Sequence, residues 1–254
     1  MTNSLKIELD GGILKVTFNR PEKKNAIDNP MWISLKETFL EAGDDDNVRC
    51  VLLAGAGENF SAGVDLASFG QTQSEPEHPF ESAARAVADF NKPLIAAVKG
   101  VAVGGGATIL FHADIVYVGK SLRMRLPFAS LALAPEWASS YMLQANIGAQ
   151  RAAELFFTAQ WIDSDLAVSY GIAAGAFSDN ELLEITKEKA HEICKWPASA
   201  LREIKKCLRA HHKPNIDLAF QIEQDAMARL AGSPDNVEAI SALFEKRTPN
   251  FTGG

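Results

Sequence analysis

Two short apolar runs, each followed by glycines, constrain the fold of this 254-residue chain more than any other feature. Residues 94–98 have the composition of a buried strand, and three glycines follow at 104–106. Residues 48–54 form an earlier run of the same kind, and the glycine-rich turn 55–63 leads from it to a helix predicted to begin near Asp65. Strands that alternate with helices in this way predict an α/β fold.

Glycines where a helix begins leave backbone N–H groups unpaired and sterically open, and the helix dipole adds partial positive charge there. Such a junction suits an oxyanion, but it equally fits a strand-to-helix crossover that binds nothing, and the residues leave both interpretations open. The turn 55–63 is no dinucleotide fingerprint, because Phe60 stands where the third glycine is needed. Ser61 lies in no Gly-x-Ser-x-Gly elbow.

Composition excludes several classes of function. The net charge of -7 argues against nucleic-acid binding. No apolar run is long enough to cross a membrane, and the first residues lack the apolar core of a signal peptide. The three cysteines are scattered without a CxxC pair, so we expect a reducing, cytoplasmic location. The five histidines contain no HExxH pattern, so we expect no metal site, and we interpret His112 as a core residue.

The rest of the chain predicts a hairpin, a series of helices and a polar flap. Residues 5–9 and 13–18 flank an Asp-Gly-Gly turn that is typical of a hairpin. The Trp196-Pro197 step predicts a boundary between an α/β core over 1–196 and a helical region over 197–254. Further helices are predicted from 28–30 onward and over 80–90, 107–113, 147–157, 161–170, 181–196, 198–210, 217–231 and 235–246, with an exposed flap over 68–79.

Glu136 is the one carboxylate in the irregular apolar stretch 122–138, which Pro127 and Pro135 interrupt. A lone carboxylate in apolar surroundings is either a functional group or a surface residue whose neighbourhood only looks apolar in the sequence. Spacing alone does not separate these two interpretations.

Four ordered motifs resemble the crotonase superfamily, the enoyl-CoA hydratase/isomerase group. The resemblance implies a superhelix of repeated ββα units with a C-terminal helical region for oligomerisation, as a homotrimer or a dimer of trimers. It also implies an acyl-CoA thioester substrate and no separate cofactor, since coenzyme A is part of the substrate. The motifs are NRPEKKNA at 19–26, FSAGVDL at 60–66, KPLIAAVKG at 92–100 with the glycines at 104–106, and ADI at 113–115.

The resemblance also implies the site residues. The thioester oxygen would be held by the backbone N–H groups of Val64 and Gly105, at the two glycine-rich junctions described above. Residues implied to bind coenzyme A or substrate, mostly through backbone groups, are Lys23, Ala26, Ala62, Asp65, Leu66, Gly104, Pro127 and Leu131.

Departures from the family pattern determine the predicted reaction. Hydratases of the family use two glutamates, but Thr108 and Phe128 stand at those positions here, and neither can be a general base. Glu136 lies where the Δ3,Δ2-enoyl-CoA isomerase branch has its single catalytic glutamate. We therefore predict that the enzyme shifts the double bond of a 3-enoyl-CoA to give 2-trans-enoyl-CoA in fatty-acid β-oxidation.

The alternatives are another CoA-enolate enzyme, such as a hydratase, and a catalytically silent acyl-CoA-binding protein. Were Glu136 not the base, the flap carboxylates Glu75 and Glu77 would be the next candidates.

Overall fold

The computed structural model describes residues 4–65 and 78–253, and it confirms a mixed α/β architecture. The strands are β1 (Leu5–Asp10), β2 (Ile13–Phe18), β3 (Cys50–Gly55), β4 (Leu94–Val98), β5 (Val101–Val103), β6 (Ile115–Gly119), β7 (Arg123–Arg125), β8 (Trp161–Ile162) and β9 (Gly175–Phe177). The helices are α1 (Asn29–Asp44), α2 (Pro79–Ala88), α3 (Gly105–Thr108), α4 (Ser139–Ile147), α5 (Ala149–Thr158), α6 (Ser164–Tyr170), α7 (Leu182–Cys194), α8 (Ala198–Ala210), α9 (Lys213–Leu230) and α10 (Pro234–Glu245).

The strands form two sheets. The larger has the order β1-β2-β3-β4-β6-β9, and the smaller has the order β5-β7-β8. β1 and β2 form the predicted hairpin: Asp10 pairs with Ile13, and both residues between them, Gly11 and Gly12, have positive φ, as a two-residue turn requires. From β2 onward the larger sheet is parallel. β3 and β4 are buried along nearly their whole length, which explains their continuous apolar sequences.

Successive segments of the chain alternate between the two sheets. β4 in the larger sheet leads directly into β5 in the smaller sheet, and β6 leads into β7 in the same way. Ser61, which follows β3, makes a parallel bridge to Ala102 in β5. The turns of the chain therefore stack in parallel, and this confirms the superhelix of ββα units. The segments after Ser61 and after β5 are consequently brought to the same edge, and the glycine-rich junctions lie there.

α1 forms as predicted at its beginning, where Asp28 accepts the Met31 N–H and caps the helix. Trp32 and Phe39 are buried on the expected face, but Leu40, which the pattern assigns to the same face, is 54% exposed. The helical period rotates position 40 away from the sheet, while position 39 completes the buried stripe.

Four helix predictions were wrong in detail. The helix predicted over 217–231 begins earlier, at Lys213 in α9. The helix predicted over 107–113 is the single-turn α3 followed by a 3-10 turn, Ile109–His112. The helix predicted over 147–157 begins instead at α5, because Gly148 at φ +86° separates it from α4, which was not predicted. Residues 161–162 belong to β8, and α6 starts only where Asp163 caps the Leu166 N–H. Short polar caps and glycines thus override the apolar pattern.

The C-terminal helices α8, α9 and α10 come after the Trp196-Pro197 step in the chain. α8 is anchored to the core by Lys205, whose buried ammonium donates to the Lys92 carbonyl and to Asp114 Oδ2 at 2.6 and 2.8 Å. These helices also expose large apolar side chains, namely Ile204, Leu208, Leu218, Ile222, Val237, Leu243 and Phe244. Across the described ranges no helix combines the length and apolar character needed to span a membrane.

Candidate active site

The two glycine-rich junctions touch each other. A Cβ atom on Gly63 would lie 2.4 Å from the Val103 carbonyl oxygen and 3.4 Å from the Gly105 nitrogen. Gly63 also has φ +85°, which disfavours any other residue. A Cβ on Gly106 would lie 2.6 Å from the Ser61 carbonyl oxygen. Glycine at 63 and 106 is therefore required by the close approach of two backbones.

Val64 and Gly105 both keep an uncommitted N–H at this contact. On either side of Val64 the backbone is fixed, since Ile27 N–H donates to Gly63 O and Asp65 N–H donates to Ile27 O. Gly105 is the first residue of α3, where N–H groups have no partner inside the helix. Within residues 4–65 and 78–253 neither N–H has a hydrogen-bond acceptor. Two adjacent backbone donors are thus available to one oxyanion.

Glu136 faces the same junction. Its Oε1 lies 3.5 Å from the position of a Cβ on Gly105 and 3.9 Å from that of a Cβ on Gly104. Glu136 is partly buried, and its contact with the junction favours a functional group over the alternative of a surface residue. The glycines leave the space beside this carboxylate open.

Three aromatic residues, Trp32, Phe80 and Trp137, form an aromatic cluster around Gly105. Their ring centroids lie 5.1 to 5.9 Å apart, and the first two rings would lie 3.4 and 3.2 Å from a Cβ on Gly105. Burial among these groups, together with the negative charge of Glu223, raises the pKa of Glu136 to about 8. A carboxyl group with this pKa both accepts and returns a proton near neutral pH.

The loop that carries Glu136 has an unusual backbone. Trp137 and Ala138 both have left-handed conformations, at φ +60° and +52°, which disfavours non-glycine residues by roughly 1 kcal/mol or more each. His112 Nε2 contacts the Trp137 carbonyl oxygen at 2.7 Å, and Ser139 N–H donates to the Glu136 carbonyl at 3.0 Å. Burial lowers the pKa of His112 to about 3, so the ring is neutral and carries its proton on Nε2.

Comparison with known proteins assigns the family. The profile of the family described as "Enoyl-CoA hydratase/isomerase" matches residues 8–254. The chain is 32% identical to the 1,2-epoxyphenylacetyl-CoA isomerase of Escherichia coli strain K12, an alignment that covers 96% of this chain and 97% of that protein. The chain belongs to the enoyl-CoA hydratase/isomerase family.

Relatives within the family carry different activities in their names. The short-chain-enoyl-CoA hydratase of Clostridium acetobutylicum is 30% identical, and 96% of each chain is aligned. The crystal structure of an enoyl-CoA hydratase/isomerase from Pseudoalteromonas atlantica T6c superposes with a TM-score of 0.95 at 31% identity, covering 98% of this chain and all of that one. The family therefore fixes the fold and the acyl-CoA class of enzyme, while the particular reaction depends on the residues at the site.

Four of the residues expected to bind coenzyme A lie on one assembled surface. Ala62 N–H donates to the Lys24 carbonyl, which joins the turn after β3 to the loop that carries Lys23 and Ala26. Lys23 is exposed, whereas Ala26, Ala62 and Asp65 are partly buried. These segments are consequently held as one ledge beside the N–H groups of Val64 and Gly105.

Arg20 holds this ledge together. No role was predicted for it from the sequence beyond its place in the motif at 19–26. Arg20 donates to Ala26 O at 2.7 Å and to Asp65 Oδ2 at 2.9 Å, and it also pairs with Asp28. Asp65 is therefore engaged in a partly buried ion pair. Asn25 is fully buried and donates to two carbonyls of the 56–59 turn, which fixes the other end of the loop.

The remaining expected binding residues are not part of this ledge. Gly104 adjoins Glu136, as described above. Pro127 and Leu131 flank a 3-10 turn, in which the Pro127 carbonyl accepts Leu131 N–H and the Leu131 carbonyl accepts Asn236 Nδ2 from α10. Leu66 lies outside the described residues, as do the alternative flap carboxylates Glu75 and Glu77.

Thr108 and Phe128, the two positions at which the family resemblance implies the glutamates of a hydratase, hold no acid. Thr108 is fully buried, and its hydroxyl has no hydrogen-bond partner within the described part of the chain. Phe128 is buried and packs against Phe156, with ring centroids 6.0 Å apart. Over the same part of the chain, no group of three acidic, histidine or cysteine side chains is placed to hold a metal ion.

Sequence reasoning missed Glu223, a buried carboxylate on α9 that contacts the Glu136 loop. No local motif surrounds it. The available signal was a single acidic residue on the apolar face of an amphipathic helix, and a lone residue of that kind does not reveal which distant loop it meets.

Proposed function

We propose that this protein is a Δ3,Δ2-enoyl-CoA isomerase, which moves the double bond of a 3-enoyl-CoA to the 2-trans position. The observation that carries the proposal is the pairing of one carboxylate, Glu136, with two free backbone donors at Val64 and Gly105. Moving a double bond requires one group that removes a proton and returns it two carbons away, and it requires stabilisation of the charge between these steps.

The proposed reaction has two proton transfers. The Glu136 carboxylate removes a proton from C2, and the C–H electron pair moves to form a dienolate whose negative charge lies on the thioester oxygen. The N–H groups of Val64 and Gly105 donate to that oxygen, and such donors typically contribute about 3–4 kcal/mol each. The protonated Glu136 then gives its proton to C4, the electrons return from the oxygen, and the double bond lies between C2 and C3.

The surroundings of Glu136 favour this role. Its raised pKa means that the carboxylate is a stronger base than an exposed glutamate, and that the carboxylic acid formed by the first transfer keeps its proton near neutral pH. The aromatic cluster limits the access of water, which would otherwise solvate the carboxylate and exchange the proton.

The absence of acids at positions 108 and 128 separates this reaction from hydration. Adding water to a 2-enoyl-CoA requires groups that orient and deprotonate the water molecule. A buried threonine hydroxyl and a phenyl ring supply no base. Because some relatives are named as hydratases, membership of the family is compatible with either reaction. A direct comparison of the two reactions is therefore the deciding experiment.

The test measures both reactions on the purified protein: isomerisation of 3-hexenoyl-CoA in a coupled assay and hydration of crotonyl-CoA. We expect rapid isomerisation and negligible hydration. Efficient hydration with slow isomerisation would identify a hydratase instead. Acyl-CoA binding without either turnover, with binding measured separately by calorimetry, would identify a catalytically silent binding protein.

A ring-bearing acyl group is a second candidate for the substrate. Three aromatic side chains around Gly105 suit a flat ring better than a flexible alkyl chain, and one relative is named for a phenylacetyl-derived thioester. The measurement compares kcat/KM for 3-hexenoyl-CoA and cyclohex-1-enylacetyl-CoA, in which the same double-bond shift is available. A preference for the cyclic thioester supports this candidate, and a preference for the linear one excludes it.

We also propose that the 197–254 region assembles the protein into a homotrimer or a dimer of trimers. Support comes from the large apolar side chains on α8, α9 and α10, which are exposed to water in a single chain. Light scattering at micromolar concentration is expected to give a multiple of the 27.5 kDa chain mass. A single-chain mass would contradict this assembly.

A further inference from the structure

Glu223 lies behind the Glu136 loop, on a C-terminal helix that none of the family motifs includes. It is 5% exposed, and its Oε1 accepts the N–H of Ser140 at 2.7 Å. Ser140 belongs to the first turn of α4, where unpaired N–H groups and the helix dipole favour a negative charge. The other oxygen, Oε2, is buried without a hydrogen-bond partner among the described residues.

We propose that Glu223 is a positioning residue for Glu136: its carboxylate fixes the start of α4 and thereby the left-handed turn Trp137–Ala138 that places the Glu136 carboxylate beside Gly105. The expected effect on kcat rests on the proposed function. The expected effect on the loop is measured by hydrogen exchange, which needs no turnover.

The argument begins with the conformation of the loop. Two successive non-glycine residues at positive φ are unfavourable unless surrounding contacts hold them. Such contacts come from two sides of the loop. His112 holds the Trp137 carbonyl from the 3-10 turn after α3, and Glu223 holds the Ser140 N–H from α9. The two buried residues are themselves linked, because the His112 ring stacks on Phe220, one turn before Glu223 on α9.

The second step concerns charge. Among the described residues, Glu223 is the charged group that acts on Glu136, and its negative charge raises the pKa of Glu136. Burial raises the pKa of Glu223 as well, against the lowering effect of the Ser140 hydroxyl and of the N–H groups of Ser140 and Ala138. Two coupled carboxyls of this kind titrate as a pair. Replacing Glu223 by glutamine removes one negative charge and is therefore expected to lower the pKa of Glu136.

Other titratable groups packed around the loop are engaged in separate contacts. His112 stays neutral, as its pKa of about 3 requires. The remaining groups are Arg209, which donates to the His112 carbonyl and pairs with Asp114; Arg85, which pairs with Asp217 and lies over the Phe220 ring; and His212, which contacts the Tyr141 hydroxyl.

The experiment uses three variants of the full chain. Glu223→Ala removes both the acceptor and the charge. Glu223→Gln keeps an acceptor oxygen and removes only the charge. Asp225→Asn is the matched control, since it removes one negative charge from an exposed position of the same helix. Each variant is measured for kcat, KM and the pH dependence of kcat/KM with 3-hexenoyl-CoA, and for hydrogen exchange of the peptide 136–143 by mass spectrometry.

We expect Glu223→Ala to lose about tenfold or more in kcat with little change in KM, because a misplaced catalytic group costs turnover rather than binding. The peptide 136–143, which contains the Ser140 amide, should exchange faster in this variant alone. Glu223→Gln should keep that amide protected and move the pH midpoint of kcat/KM to lower pH. Asp225→Asn should match the wild type in every measurement.

Two results would overturn the proposal: unchanged Ser140 protection and kcat in Glu223→Ala, or an unchanged pH midpoint in Glu223→Gln. If the alanine variant does not fold, the midpoint of the glutamine variant decides. If the wild-type protein does not isomerise 3-hexenoyl-CoA, the proposed function fails, and hydrogen exchange still judges whether Glu223 holds the loop.

Discussion

The two halves of the site are built in different ways. The half that would hold the thioester oxygen consists of backbone N–H groups at Val64 and Gly105, placed by stacked repeats that approach too closely for any side chain. The half that would move the proton consists of one side chain, Glu136, on an irregular loop held by contacts from distant segments. The first half is a property of the fold and the second is a property of particular side chains, so the same fold accommodates different reactions when the second half changes.

Replacing the base should separate the two halves most sharply. Glu136→Gln keeps the size of the side chain and leaves both backbone donors in place. We expect kcat for 3-hexenoyl-CoA to fall by about a hundred- to ten-thousandfold, the usual contribution of a positioned general base, with little change in acyl-CoA affinity. Steady-state kinetics and calorimetric titration give the two quantities. A variant that keeps kcat within about tenfold of wild type would show that Glu136 is not the base.

This division also explains what could be predicted from the sequence. The glycines at 63 and 104–106 predict the backbone half from sequence alone, because positive φ and the close approach of two backbone segments both favour glycine. The strand runs of β3 and β4 are equally local, since burial on both faces makes them continuously apolar.

The carboxylate half was predicted only in part. The position of Glu136 came from the family resemblance, and apolar spacing alone left its role open. The contacts that hold it join residues 25 to 83 positions apart in the chain, namely His112 with Trp137 and Ser140 with Glu223. Contacts of this range leave no periodic pattern. The same cause explains why α4 was not predicted, because its first turn has no local side-chain cap and the Ser140 N–H is instead accepted by the distant Glu223.

Position 105 tests the backbone half with a matched pair of variants. Gly105→Pro removes the N–H, and we expect at least about a hundredfold loss of kcat, which is typical of one lost oxyanion donor. Gly105→Ala keeps the N–H and adds only a methyl group, 3.2 Å from the Phe80 ring and 3.5 Å from Glu136 Oε1. The alanine variant should therefore lose much less than the proline variant, with circular dichroism confirming that both fold. Retention of more than about a tenth of wild-type activity by Gly105→Pro would remove Gly105 from the oxyanion site.

The carboxylate half should also lower the stability of the folded protein in a pH-dependent way, which the backbone half has no titratable group to do. Because the pKa of Glu136 is raised to about 8 in the folded protein, ionisation opposes folding increasingly as the pH rises from 4.5 through 8. Glu136→Gln should therefore unfold with a free energy up to about 4 kcal/mol larger than wild type at pH 8, and with a difference below about 1 kcal/mol near pH 4.5. Urea titrations at the two pH values give this comparison. A variant less stable than wild type at pH 8 would contradict the raised pKa.

Isotope tracing tests most directly the central claim that one carboxylate carries a proton from C2 to C4. The substrate is 3-hexenoyl-CoA with deuterium at both C2 positions, converted in a single turnover in ordinary water, with the product analysed by mass spectrometry. If Glu136 removes and returns the same hydrogen in a site closed to water, part of the 2-hexenoyl-CoA product carries deuterium at C4. A product whose C4 hydrogen comes entirely from the solvent would contradict the account, since either a second proton donor completes the reaction or the site is open to water during the turnover.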